Sequence, residues 1–162
     1  MTEKPNPQDA RKAAVQAFRD REAAAARAKE DQNAAEQDKA KVLAQNRQQW
    51  STTAFDTIHR GVMASSEAFA REGSEYIIPP RPNVSADPAA TYEIRPSGSL
   101  GVVATIAFAM GTDGMVRPST TARGCSLPPP VRVADVTAEW ATEVTDIVMI
   151  AVLGGLRARI PD

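Results

Sequence analysis

Residues that build active sites and metal centres are scarce in this sequence. Among 162 residues it has one cysteine, Cys125, and one histidine, His59. These counts exclude an internal disulfide, a multi-cysteine metal site and a histidine cluster. Aromatic residues make up 5% of the chain, and much of its 43% hydrophobic content is alanine, which adds little core volume. The sequence therefore predicts one modest hydrophobic core and no cofactor.

Long hydrophobic runs and a strong charge of either sign are also absent. The best uncharged apolar run, 147–156, has 10 residues, whereas a membrane-spanning helix needs about 20. The first residues, MTEKPNPQDARK, lack the apolar segment of a secretory signal. A formal net charge of −1 offers no bulk attraction to a polyanion. We expect a cytoplasmic protein with no membrane partner.

Proline is missing between Gln8 and Ile78, and Gly61 and Gly73 are the only glycines in that stretch. Because proline and glycine are the strongest helix breakers, this predicts one long helix, or two in close succession, that stops at Gly73. From position 50 onward, mostly apolar residues recur every three or four positions, which places them on one helix face. The stripe consists of Trp50, Ala54, Ile58, Val62, Ser65 and Phe69. This half is predicted to pack on a globular body.

The part of the helix before Trp50 has almost no apolar side. Its alanines alternate with polar residues, so no heptad is sustained. One interpretation is a solvated helical extension, since isolated helices gain most of their stability from packing. The other is a small-residue interface in a dimer, a bundle or a coiled coil, because alanines let helix backbones approach closely. The candidate partner-binding residues are Phe18, Ala25, Ala28, Ala35 and Leu43.

The organisation that follows is a helical arm over 1–47 and a small α+β domain over 48–162. The domain is predicted to contain a helix at 48–73, a proline-rich connector at 79–90, a β-meander at 91–122, a proline spacer at 126–131 and a helix at 135–158. The expected fold class is therefore α+β. It combines a long N-terminal helix, a three-stranded antiparallel meander and a C-terminal packing helix.

The meander carries the clearest β pattern in the chain. Alternate residues from Leu100 to Met110 are apolar and would share one face of a strand, with small residues on the other face. Ser-Gly and Asp-Gly dipeptides at 97–98 and 113–114 predict turns on either side. The predicted strands cover about 91–95, 100–110 and 115–121. The small residues of the second face suit a further layer, such as a helix or another subunit.

The last helix is predicted to begin with Asp135 as its N-cap. Beyond Asp146 it is apolar nearly all round, which predicts packing on more than one side. Arg157 and Arg159 fall near its end, where positive charge complements the helix dipole.

Side chains with catalytic potential are isolated from one another. Asp56 lies three residues before His59, so the two could meet as a base and its orienting carboxylate, or as an ordinary surface pair. No second histidine or serine elbow accompanies them, and we expect no enzymatic activity. Arg95 and Arg117 fall at the ends of the strands that flank the central one. They are candidate anion-binding residues.

Two functions are compatible with this order of elements. The first is a non-enzymatic interaction or scaffold protein whose arm self-associates or docks on a protein partner. The second is suggested by residues 50–160, where a glycine-flanked hairpin lies between two helices. This order of elements is similar to that of the YbaB/EbfC family of nucleoid-associated proteins. This resemblance implies a dimeric nucleic-acid-binding protein. The slightly acidic charge balance and the proline spacer depart from the pattern of that family.

Overall fold

The proline-free part of the chain forms two consecutive helices. The computed structural model describes residue 4 and residues 6–157. Helix α1 spans Pro7–Gln49 and helix α2 spans Phe55–Arg71, with a π-helical turn at Trp50–Ala54 between them. The helix predicted over 48–73 is thus irregular near its start.

The π-helical turn lies where the helix begins to face the core. Four residues are about 40° more than one full α-helical turn, so a repeated four-residue spacing drifts around the helix. The wider π turn takes up this excess, and Trp50 and Ala54 are both buried. The hydroxyls of Ser51 and Thr52 donate hydrogen bonds to the carbonyl oxygen of Gln48, at 3.0 and 2.8 Å. Side-chain donors therefore satisfy a carbonyl at the start of the irregular turn.

Helix α2 ends just before Gly73, the predicted stop. The φ angle of Gly73 is 87°, a left-handed conformation that glycine adopts without steric cost. The N–H of Gly73 bonds to the Ala70 carbonyl at 3.1 Å, and the N–H of Ser74 bonds to the Phe69 carbonyl at 3.0 Å. These two bonds form a Schellman motif, which satisfies carbonyls left free at the end of the helix.

The sheet has more strands than the three predicted. Within residues 6–157 the strands are β1 (Tyr76–Ile77), β2 (Asn83–Val84), β3 (Ala89–Pro96), β4 (Ala104–Met110), β5 (Met115–Thr120) and β6 (Val131–Arg132). All pairs are antiparallel, in the order β1-β3-β4-β5-β6, and β2 also pairs with β3. The α+β class is therefore confirmed, whereas the predicted number of strands is wrong.

The additional strands have two residues each and lie beside prolines. Strands β1 and β2 flank the prolines at 79, 80 and 82, and β6 follows Pro130. Proline cannot donate to a ladder, so pairing beside it is confined to short edge strands. Two residues are too few to show an alternating pattern, which is why the sequence does not reveal these strands.

The central strand begins at Ala104, not at Leu100 as predicted. Leu100 is 87% exposed, whereas Ile106 and Phe108 are fully buried. The pairing of β4 with β3 stops where Ala104 faces Ile94. Pro96, two residues further along β3, has no N–H to donate across the ladder. The apolar residues before Ala104 belong to the loop, so the alternating pattern extends beyond the strand itself.

One face of the sheet is buried against α2 and a third helix, α3, at Ala138–Arg157. Alternate residues of β3, β4 and β5 point into this layer, and the fully buried ones are Ala90, Tyr92, Ile94, Ile106, Phe108 and Val116. The ring of Phe108 lies edge-on to Trp140, with 5.6 Å between ring centroids, and 6.3 Å from Tyr92. Such aromatic contacts add to the stabilisation from buried area. The described residues form one hydrophobic cluster, as the composition predicts.

Helices α2 and α3 pack closely because of Gly61. A Cβ atom placed on Gly61 would lie 2.4 Å from the Ala138 carbonyl oxygen and 2.7 Å from the Ala141 Cβ. The hydroxyl of Thr142 donates to the Gly61 carbonyl oxygen at 3.0 Å. Further along, the buried Ser65 hydroxyl donates to a carboxylate oxygen of Asp146 at 2.5 Å. Backbone contact and two hydrogen bonds thus fix the two helices together.

Helix α3 begins three residues later than predicted. Asp135 lies in a 3-10 turn, and the hydroxyl of Thr137 accepts the hydrogen bond from the Trp140 N–H at 3.1 Å, so Thr137 takes the N-cap role. Within the described chain α3 packs on one side, because Val148 is fully buried whereas Ile150 is 63% exposed. Arg159, also expected near the end of this helix, lies outside the described residues.

The described chain divides between Val42 and Leu43 into two compact units. The first unit contains most of α1. The second contains the end of α1, the π turn, α2, the sheet and α3.

Gly61→Ala should destabilise the protein, although alanine is the better helix former. The added methyl group would force α2 and α3 apart at their closest approach. We expect a loss of about 1–3 kcal/mol in the free energy of unfolding, measured by urea denaturation. Gly154→Ala is the matched control, because nothing lies within 4 Å of its added Cβ, and it should be neutral or stabilising. Equal losses in both variants would contradict the close approach.

Phe108→Ala should cost about 3–5 kcal/mol, because it removes a fully buried aromatic side chain from the centre of the core. Leu100→Ala, at the exposed end of the same alternating pattern, should change stability by less than about 0.5 kcal/mol. Thermal and urea unfolding of both variants would measure this difference. A large loss in the Leu100 variant would mean that the strand begins earlier.

Candidate functional site

Helix α1 exposes every residue of the first unit from Pro7 to Val42. The exposed set includes two apolar residues one turn apart, Phe18 at 60% and Val15 at 51% exposure. A helix of this length without a buried side has no packing to stabilise it beyond its own hydrogen bonds. The surface around Phe18 is therefore the first candidate for a binding site.

The structure separates the predicted partner-binding residues into two groups. Phe18, Ala25, Ala28 and Ala35 are exposed and lie in the first unit. Leu43 is half-buried and lies in the second unit. The four exposed residues are available to a partner in the described structure, whereas Leu43 is only partly so.

The end of α1 faces the body of the second unit. Leu43, Asn46 and Gln49 are half-buried at helical spacing, and Trp50 is buried. The side chain of Asn46 packs on the β4–β5 turn, since a Cβ on Gly114 would lie 2.6 Å from its amide nitrogen. Gly114 has a φ of 75°, so this turn requires glycine for its backbone as well as for this contact. The sequence predicts that the packed stripe begins at Trp50. In the structure it begins earlier, at Leu43.

Charge accompanies the apolar residues of the arm. Arg11, Val15 and Phe18 stand at positions i, i+4 and i+7, which puts them on one side of α1. All three are exposed. Glu22 follows Phe18 one turn later on the same side, so this side presents two apolar side chains between a cation and a carboxylate.

A second exposed surface lies on α3, and the sequence analysis does not predict it. An open groove of about 450 Å³ runs along this helix and is lined by residues that include Glu139, Glu143, Ile147 and Ile150. The opposite side of α3, with Val144 and Val148, is fully buried. The lining residues stand three or four positions apart, which is the spacing of one helix face. The apolar run at the end of α3 obscured it.

The two candidate anion-binding arginines are far apart in the sheet. Arg117 lies beside Ala109 in the ladder, whereas Arg95 lies beyond the Ala104 end of β4. Arg95 forms an ion pair with Glu93. The guanidinium of Arg117 makes two hydrogen bonds to the carboxylate of Asp113, at 2.6 and 3.1 Å. Each arginine therefore has a carboxylate partner, and the two do not form one cluster.

His59 contacts the core and not Asp56. Its Nδ1 atom lies 3.0 Å from the hydroxyl of Tyr92, and its ring stacks between Phe55 and Tyr92. Tyr92 is fully buried, and burial raises the pKa of its phenol well above the usual value. The pair explains how a buried hydroxyl finds a hydrogen-bond partner at the edge of the core.

Metal centres and membrane spans are two other classes of site. No group of three or more His, Cys, Asp or Glu side chains within residues 6–157 is arranged to hold a metal ion. In the same residues, no helix combines the length and the apolar character needed to cross a bilayer.

The ion pair of Asp113 and Arg117 predicts a stability change in acid. The hydrogen bonds from Arg117 and from the Met115 N–H lower the pKa of Asp113 from 3.8 to about 2. Because the pKa is lower in the folded state, this contribution to stability is complete above about pH 4 and is lost as the pH falls towards 2. Asp113→Asn cannot ionise, so its melting temperature should fall less than that of the wild type between pH 4 and pH 2. If the melting temperatures of the two proteins fell by the same amount over this range, the ion pair would not contribute to stability.

Comparisons with protein-family models, with curated proteins and with solved structures found no match for this chain. The exposed surfaces of α1 and α3 are therefore the features from which a function can be inferred.

Proposed function

We propose that this protein is a non-enzymatic interaction protein that self-associates or docks on a protein partner through α1. The observation that carries the proposal is the absence of any buried residue along the 43 residues of α1. Most helices of proteins are stabilised by burial of an apolar face against another element. A second chain would supply that packing.

The exposed apolar residues of α1 support a defined contact region. Single exposed apolar residues are ordinary on protein surfaces. Phe18 and Val15, however, stand one turn apart on the helix, so together they form a small apolar surface among charged neighbours. Aromatic residues are enriched among those that dominate binding energy at interfaces. Phe18 is therefore the residue on which the contact is expected to centre.

Nucleic-acid binding is the alternative that the element order raises. It needs cations free to contact phosphates. Because Arg95 and Arg117 are each bonded to a carboxylate, their contacts do not favour this alternative. A mobility shift with duplex DNA at low salt would separate the two interpretations, since phosphate binding weakens steeply as salt rises.

Phe18→Asp should weaken association through α1, because it places a charge in an apolar contact. Sedimentation velocity over a range of concentrations would measure this as a fall of the average mass towards that of the monomer. A variant that begins at Leu43, the first residue of the second unit, should behave in the same way. Sedimentation velocity of this protein mixed with a second protein would test docking on a different partner.

Ala23→Asp is the matched control for Phe18→Asp. It introduces the same charge five residues away, on the other side of the helix. It should leave the average mass unchanged. Equal effects of the two substitutions would indicate a loss of helix stability and not the loss of a contact. A wild-type protein that neither self-associates nor binds a protein partner would refute the proposal.

A further inference from the structure

The exposed surfaces on α1 and α3 share one helical pattern with opposite charge. On α1, Arg11, Val15 and Phe18 stand at i, i+4 and i+7. On α3, Glu143, Ile147 and Ile150 stand at the same intervals. All six residues are exposed or half-exposed in the described structure. Two parallel helices aligned at these positions would place each apolar residue against an apolar residue, and the arginine against the glutamate.

The α3 surface has side chains whose spacing and chemistry suit a docked helix. Glu143, Ile147 and Ile150 line the open groove of about 450 Å³, with Glu139 one turn before them. Ile150 is a large apolar residue of α3 and is 63% exposed. Large apolar side chains at helical intervals beside a groove are how proteins receive an amphipathic helix. The carboxylate of Glu143 favours an occupant that presents a cation one turn before its apolar residues.

We propose that α3 is the docking surface for α1 of a second copy of this chain, with Phe18 against Ile150, Val15 against Ile147, and Arg11 against Glu143. This inference rests on the proposed function and names the partner and the receiving surface. If each copy provides one arm and one α3 surface, two copies make the same contact twice, which closes a symmetric dimer. The buried apolar residues supply affinity, and the charge pair sets the alignment of the helices.

Charge reversal in the full chain tests the contact directly. Arg11→Glu and Glu143→Arg each replace an attraction by a repulsion in both contacts of the dimer. Each variant alone should associate more weakly than the wild type, by a factor of up to about ten. An equimolar mixture should associate again, because each arm then meets an α3 surface of opposite charge on the other variant. Sedimentation velocity at a series of concentrations would measure all four samples.

Lys12→Glu is the matched control for the arm. It reverses the charge of the neighbouring residue, which lies about 100° further around the helix. It should associate like the wild type, and melting curves of every variant would show that each is folded. Recovery in the mixture can arise only between copies, so it separates this contact from one within a single chain.

Three results would overturn this inference. If Phe18→Asp dissociates the protein but Glu143→Arg does not, the arm binds a different surface, and the proposed function stands without this contact. If the mixture does not recover, Arg11 and Glu143 do not pair. If the full chain is a monomer at every concentration, no second copy is the partner. A different protein bound through Phe18 would then be the remaining form of the proposed function.

Discussion

The close approach of α2 and α3 is the contact on which the second unit depends. Gly61 lets the two backbones meet, and the bonds of Thr142 and Ser65 hold them there. With the helices side by side, their buried residues cover one face of the sheet. The apolar face of the sheet must be buried against another layer, because its burial supplies much of the stabilisation of a modest core.

The same packing determines which surfaces remain exposed. Because α3 contacts α2 and the sheet on one side only, Glu143 and Ile150 are left on its outer side. The helix that precedes the core undergoes a similar change along its length. Every described residue of α1 up to Val42 is exposed, and half-buried residues appear from Leu43. Trp50, the first residue of the π-helical turn, is buried. One unit is therefore built around a core, and the other is a helix that lacks one.

The core is predictable from the sequence where a pattern is long enough to read. The stripe from Trp50 to Val62 and the alternation from Ala104 to Met110 both match buried positions. Short strands are not predictable in this way, since β1, β2 and β6 have two residues each and are defined by their partners. The start of β4 also depends on a partner, because Leu100 follows the same alternation as Phe108 but has no strand opposite it.

The candidate sites show the same limit. Phe18 could be identified because a large aromatic residue stands out in a helix of alanine and charged residues. The α3 groove could not, since Ile147 and Ile150 belong to an apolar run in which exposed and buried residues look alike. Likewise, only the fold shows that His59 meets Tyr92, which lies 33 residues away in the sequence.

By itself, the sequence determined the long helix, its lack of an apolar side and its stop at Gly73, because helix propensity, helix breakers and side-chain periodicity are local properties. The tertiary structure decided which face of α3 is exposed, how many strands pair, and that His59 meets Tyr92. These features depend on residues that are distant along the chain, and their contacts exist only after α2, α3 and the sheet have packed together.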